Sequence, residues 1–173
     1  MSHAAIRKWA SLFSLLAPFP LLAMPSFAAA EMVVFSTEMA PGTVVVHTSE
    51  RRLYLVLPRG QALRYKVGVG RSGWTWEGQS SIVGKFIRPN WAPPAELRRQ
   101  NPGLPKVIPS GAPNNPMGEA ALTLSGGPYA IHGTNTPRGI GGFVSHGCIR
   151  MLNEDVTDLY ARVSVGTPVV VTE

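Results

Sequence analysis

The chain contains one cysteine, Cys148, and two of its four histidines, His132 and His146, stand close to it in sequence. From Ile131 to Met151 the residues read IHGTNTPRGIGGFVSHGCIRM. A free thiol, with a pKa of about 8.5, is mostly protonated at neutral pH. A histidine within hydrogen-bond reach can take that proton and leave a nucleophilic thiolate. Gly147 lets the turn before Cys148 tighten and leaves backbone N–H groups unshielded, so the turn could cradle the oxyanion of a tetrahedral intermediate. Spacing leaves both histidines open as the base. His146 is two residues from the thiol, and side chains at that spacing share a face in an extended chain but diverge in a tight turn. His132 would reach the thiol through the fold, the usual arrangement of a Cys–His pair. A solitary buried cysteine is ordinarily an inert small hydrophobe. The conjunction with two histidines, Arg150 and five nearby glycines is what marks a site.

Other chemistries fit less well. A copper centre in a β-sandwich takes two histidines, a cysteine and a weak methionine. Cys148 and Met151 suit it, but only Ile149 and Arg150 separate them, so His47 would have to complete the set. A papain-type peptidase places its cysteine well before its histidine, the reverse of the order here. A sortase-like transpeptidase shares the His-before-Cys order and an arginine, but its motif does not look like SHGCIR. Gly68-Val69-Gly70-Arg71-Ser72-Gly73 matches the dinucleotide pattern GxGxxG. That pattern must open a helix in a βαβ unit, and Trp74-Thr75-Trp76 follows instead, so it reads as a glycine-rich turn. One cysteine excludes an internal disulfide framework and a multi-cysteine zinc site, and no metal or cofactor is called for.

The elements that must carry these residues are mostly strands. Met32–Phe35, Thr43–Thr48, Leu53–Leu57 and Leu63–Val69 are rich in Val, Leu and Tyr and separated by Pro41-Gly42, Ser49-Glu50 and Pro58-Arg59-Gly60. They read as hairpin strands, with Leu53–Leu57, apolar on both faces, as a central one. Ser81–Ile87, Ala121–Leu124, Tyr129–His132 and Thr167–Thr172 are further strands. One helix is expected: Asn153 caps it, Glu154 and Asp155 occupy its first turn, Val156, Leu159, Tyr160 and Val163 form its apolar stripe, and Gly166 stops it. Pro94–Gln100 suggests a second, short one. Eight prolines between residues 89 and 116 make a stretch too long to be an idle connection. With Trp91, Leu97, Leu104 and Val107 to dock, it reads as a lid.

Residues 1–30 read as a secretory signal peptide: Arg7 and Lys8, then an apolar run to Met24 broken by Pro18 and Pro20, then small-x-small sites ending at Ala28 and Ala30. The run is short and proline-interrupted for a membrane span. Residues 31–173 then form one domain, within the usual size of roughly 100–200 residues. Loss of Arg7 and Lys8 leaves 14 basic against 10 acidic residues, a net charge of +4. Arg51-Arg52 and Arg98-Arg99 are isolated pairs rather than a phosphate-binding stripe, so no nucleic-acid partner is expected. Attraction to an anionic polymer of the cell wall is compatible with the charge.

HGTN…SHGCIRM resembles the signature of the L,D-transpeptidase (YkuD-like) catalytic domain. Pro89–Pro94, Asn115-Pro116-Met117-Gly118 and Leu152–Val156 are similar to that family's segments around it, and the resemblance spans roughly residues 42–172. A Thr-Pro-x-Gly turn common in the family is replaced by Gln79–Phe86, which keeps only Gly84 and the aromatic. The resemblance implies a mainly β, sandwich- or barrel-like single domain with a helix at one side. It implies Cys148 as nucleophile and His132 as base, oriented by the carbonyl of Gly133. His146, Gly147 and Cys148 would form the oxyanion turn, and Ser145, His146 and Arg150 would shape the site or contact substrate. A salt bridge holding the cysteine loop is the alternative for Arg150. The expected partner is a peptidoglycan stem peptide. The acceptor would be a second stem or an envelope protein, or else water or a free D-amino acid in a carboxypeptidase or exchange reaction. A copper- or wall-binding β module is the non-enzymatic alternative.

Overall fold

The computed structural model describes residues 30–173; the expected signal peptide lies, but for its last residue, outside them. The strands are β1 (Glu31–Val34), β2 (Val44–His47), β3 (Arg52–Leu57), β4 (Gln61–Lys66), β5 (Val69–Gly70) and β6 (Gly78–Ile87). Helix α1 (Ala95–Gln100) precedes β7 (Ala120–Leu124), β8 (Ala130–His132), β9 (Phe143–Ser145) and β10 (Ile149–Arg150). Helix α2 (Asn153–Arg162) and β11 (Pro168–Thr172) close the chain. Nine strands join in the order β1-β4-β3-β2-β11-β6-β7-β8-β10, and β5 and β9 form a separate parallel ribbon. The architecture is mainly β, as the spacing of apolar residues and turns predicts.

The ten-residue β6 makes the curl. Its first residues pair with β11 and its last with β7. A register shift between Ile82 and Gly84 bends it where it passes from one partner to the other. The segment expected to vary from the family's turn is therefore a bulged strand. It starts at Gly78, three residues earlier than the pattern suggests, because residues 78–80, Gly-Gln-Ser, include no apolar side chain larger than glycine and carry no strand signal.

Both faces of β2–β3–β4 are covered. Val44, Val46, Leu53, Leu55, Leu63 and Tyr65 point into the main core, where they meet Ile82, Leu122, Ile131, Ile149 and Met151. The alternate residues Val45, Tyr54, Val56 and Ala62 lie beneath Val33 and Phe35, which the amino-terminal strand brings over them. Period-2 geometry sends neighbours to opposite faces, so a strand covered on both sides is apolar throughout.

Helix α2 buries Val156 and Leu159 on the main core, with Val163 just past its end. Lys85 on β6 donates to the carbonyls of Tyr160 (2.7 Å) and Val163 (2.5 Å), a cation on the negative end of the helix. The expected cap is corrected: Leu152 is the N-cap and Asn153 is already helical. The Asn153 side chain is engaged elsewhere, by two backbone amides outside the helix.

Candidate active site

Strands β8 and β10 run parallel, with Ile149 beside Ile131 and Arg150 beside His132. This register brings together residues sixteen or more apart in sequence. His132 is the last residue of β8, and Cys148 immediately precedes β10. Both line a cleft of about 780 Å³, counting its part open to solvent. The cleft is walled by Trp91, Pro94 and Leu97 from the proline-rich segment, by Trp74, and by Ser145, His146 and Arg150.

His132 is buried, and its Nδ1 lies 2.7 Å from the Gly133 carbonyl, which can only accept. That contact places the proton on Nδ1 and leaves Nε2 with a lone pair. Burial, then the nearby Arg150 guanidinium, push the imidazole down to about 4, against the carbonyls of Gly133 and Pro116. His132 is therefore neutral at pH 7. Burial pushes the Cys148 thiol up, with the Ala130 amide and Arg150 pulling the other way. The pair is accordingly a neutral thiol and a neutral imidazole rather than a preformed ion pair. The described residues show no hydrogen bond between them; such contacts are often loose before substrate binds and tighten in the complex.

The turn between β9 and β10 is held from within. The buried Ser145 hydroxyl donates to the Cys148 carbonyl (2.6 Å) and accepts from the Gly147 N–H (3.1 Å). Gly147 has φ +108°, and a Cβ there would collide with the Tyr129 ring. Only glycine fits on both counts. Trp76, stacked on Tyr129 at 4.8 Å, donates its indole N–H to the Gly147 carbonyl (2.9 Å). The Gly147 amide, expected among the oxyanion donors, is engaged by Ser145. The amides of His146 and Cys148 bond to no described residue. Ser145 likewise serves the turn through its hydroxyl.

His146 sits at the outer wall. Its Nε2 accepts from Arg71 (2.5 Å), and Trp74 meets its ring edge-on at 4.7 Å. Burial, Arg71 and Arg150 all lower its pKa. Arg150 makes no salt bridge among the described residues, so the loop-holding ion pair is not formed, and its buried Nε has no hydrogen-bond partner. The copper set is not assembled: His47 bonds Glu50 and packs on Phe35 and Tyr54, while Met151 is in the core.

Three residues of the site were not singled out from sequence: Arg71, Trp74 and Trp76. The signal was the glycine-rich stretch 68–73. It opens no helix; Gly68 exchanges backbone hydrogen bonds with Arg150 (2.8 and 2.7 Å), and a Cβ on Gly68 would press on Val144. Those glycines permit close approach to the cysteine loop, which brings Trp74 to the cleft, Arg71 to His146 and Trp76 to Gly147.

A mainly β, curled sheet thus carries a cleft lined by His132 and Cys148. The model of the L,D-transpeptidase catalytic domain (YkuD) matches residues 41–171, and the chain belongs to that family. It is 41% identical over 138 residues to the probable L,D-transpeptidase YbiS of Escherichia coli, covering 73% of this chain and 43% of that protein. It is 34% identical over 136 residues to the putative L,D-transpeptidase YqjB of Bacillus subtilis, covering 75% and 70%. The chain thus spans less than half the length of its Escherichia coli relative. Among solved structures, the catalytic domain of the Enterococcus faecium L,D-transpeptidase superposes with a TM-score of 0.59 at 19% identity, over 79% of this chain and all of that one. An L,D-transpeptidase from Mycobacterium smegmatis gives 0.58 at 18%, over 76% and 58%. At those identities the likeness is one of fold.

Proposed function

We propose that the protein is an exported peptidoglycan L,D-transpeptidase working through a Cys148 thioester. The observation that supports this reading is the β8–β10 register, which sets the Cys148 thiol and a neutral, carbonyl-oriented imidazole at one cleft. As Sγ attacks the carbonyl of the third stem residue, meso-diaminopimelate, His132 takes the thiol proton. The His146 and Cys148 amides face the developing oxyanion. His132 then gives its proton to the departing nitrogen, D-Ala leaves, and a thioester remains. An acceptor amine attacks the thioester, loses a proton to His132, and re-forms the thiol. If the amine belongs to a second stem the product is a 3→3 cross-link, and if to an envelope protein, an anchored one. Arg71 and Arg150 give the cleft a positive character suited to stem carboxylates. Residues 1–30 would direct export, leaving residues 31–173 as the catalytic domain; no helix among the described residues is long and apolar enough to cross a membrane.

The Enterococcus faecium catalytic domain has been solved acylated by ertapenem, which suggests the probe. Incubated with that carbapenem, the mature chain is expected to gain the mass of one adduct. Cys148→Ala is expected to gain none while keeping the wild-type melting temperature, and His132→Ala to be acylated at least about a hundredfold more slowly. A folded, reduced wild type with no adduct would sink the assignment. Incubation with tetrapeptide muropeptides and candidate amines, read by mass, would then identify the acceptor.

A further inference from the structure

The side chain of Asn153 performs a task that its helix does not require. Its Oδ1 accepts from the backbone amides of Thr134 (3.0 Å) and Glu119 (3.2 Å), one just past β8 and the other just before β7. Gly133 and Gly118 flank that oxygen so closely that a Cβ on either would collide with it. Gly133 is also the residue whose carbonyl meets His132 Nδ1, and the Gly133 amide is tied to the Ala120 carbonyl (3.0 Å). The peptide between residues 133 and 134 has its carbonyl on the imidazole and its amide on Asn153. A peptide unit is planar, so a bond that fixes its N–H fixes the direction of its C=O.

We propose that Asn153 is a positioning residue for the base, setting the Gly133 carbonyl through the 133–134 peptide so that His132 keeps its Nδ1–H tautomer and its orientation toward Cys148. The role rests on the reading of His132 as the base, but the contact chain does not. The amide nitrogen of Asn153 donates to no described side chain or carbonyl, so what matters is the acceptor oxygen. Asp retains that oxygen and Ala does not. Loss of such support allows displacement of the base by a fraction of an ångström to an ångström, which costs about ten- to a hundredfold in rate.

The test reads the ring itself. With histidine labelled by ¹⁵N, wild type and Asn153→Asp are expected to show His132 with Nδ1 protonated and Nε2 bare. Asn153→Ala is expected to show averaging of the two tautomers and at least about a tenfold loss of carbapenem acylation rate. Lys85→Met, which frees the other end of the same helix, controls for general loosening. It should lower the melting temperature and leave the His132 ring signals alone. If Asn153→Ala does not fold, Asn153→Ser replaces it, since a hydroxyl one bond nearer the backbone cannot serve both amides. Unchanged ring signals in the Ala or Ser variant would overturn the proposal, as would Lys85→Met disturbing the ring equally. A wild type that is never acylated would defeat the functional reading, while the ring spectra would still decide this one.

Discussion

Cys148 and His132 are each held in the form that resists ionisation, and that sets the pH dependence of the chemistry. Burial raises the thiol and drives the imidazole down to about 4. In the proposed reaction the proton therefore moves during attack, not before it. On lowering the pH, the acylation rate with free enzyme is expected to hold until the imidazole protonates, giving an acid limb near pH 4 and not near 6.5. Measurement of the second-order acylation rate from pH 3.5 to 8 checks this. A limb centred near 6.5 would mean that His132 is solvated as in a model peptide. At this scale the candidate residues of the HGTN…SHGCIR stretch were legible from residue type, with either histidine open as the base, and the structure places both histidines and Cys148 at one cleft. Which amide of the turn is free was not, because the Ser145 hydroxyl decides that from the opposite side of the turn.

The proline-rich segment is the element whose role depends most on packing. Its ends are pinned: Trp91 and Ile108 exchange backbone hydrogen bonds at 2.8 Å, and the buried Asn115 side chain donates to the carbonyls of Pro89 and Pro109. Ile108 is the buried anchor, in place of Val107, which is half exposed. Trp91 itself, and Leu97 between the pins, line the cleft. The expected outcome for Trp91→Ala is a rise in KM for a tetrapeptide donor of about tenfold, with kcat changed by less than about threefold, because an apolar wall that touches substrate and transition state alike contributes uniform binding. Steady-state release of D-Ala measures both constants. Equal losses in kcat and kcat/KM would instead place Trp91 in the transition-state contacts. The short helix was readable from Pro94–Gln100, and Pro94 stands as its N-cap just before Ala95. The segment's place against the catalytic cleft was not, because no periodicity reports which surface a loop covers.

For the whole molecule, two buried groups make opposite contributions to stability. His132 in the folded chain sits near 4 against an unfolded value near 6.5, so the unfolded chain binds the extra proton between those pH values. Its contribution is present above 6.5 and is lost as pH falls toward 4. Asp155, raised to about 6 by burial and then by Glu154 and Asp158, holds its proton more tightly when folded. Its contribution is present below about 4 and is lost as pH rises through 6. The two partly cancel between pH 4 and 6. Asp155→Asn removes one of them, so its unfolding free energy should climb more steeply with pH over that window than the wild type's. The full His132 effect is on the order of 3 kcal/mol. Urea unfolding at pH 4.5, 5.5 and 6.5 tests this, and parallel profiles for the two proteins would refute it.

Local sequence determined what depends on local physics. Strands β2, β3, β7 and β11 follow from their runs of apolar residues bounded by turn residues, α2 from its apolar stripe, and the candidate nucleophile from the presence of a single cysteine in a glycine-framed motif. What the tertiary structure alone decided depends on chain segments far apart in sequence. The β8–β10 register chose His132 over His146 as the histidine on the neighbouring strand, and Arg71 turned His146 toward the outer wall. Asn153 left its expected cap for the amides of Glu119 and Thr134, 34 and 19 residues away. Side-chain oxygens and ring nitrogens go to whichever partners the completed packing brings within about 3 Å, and spacing along the chain does not encode that distance.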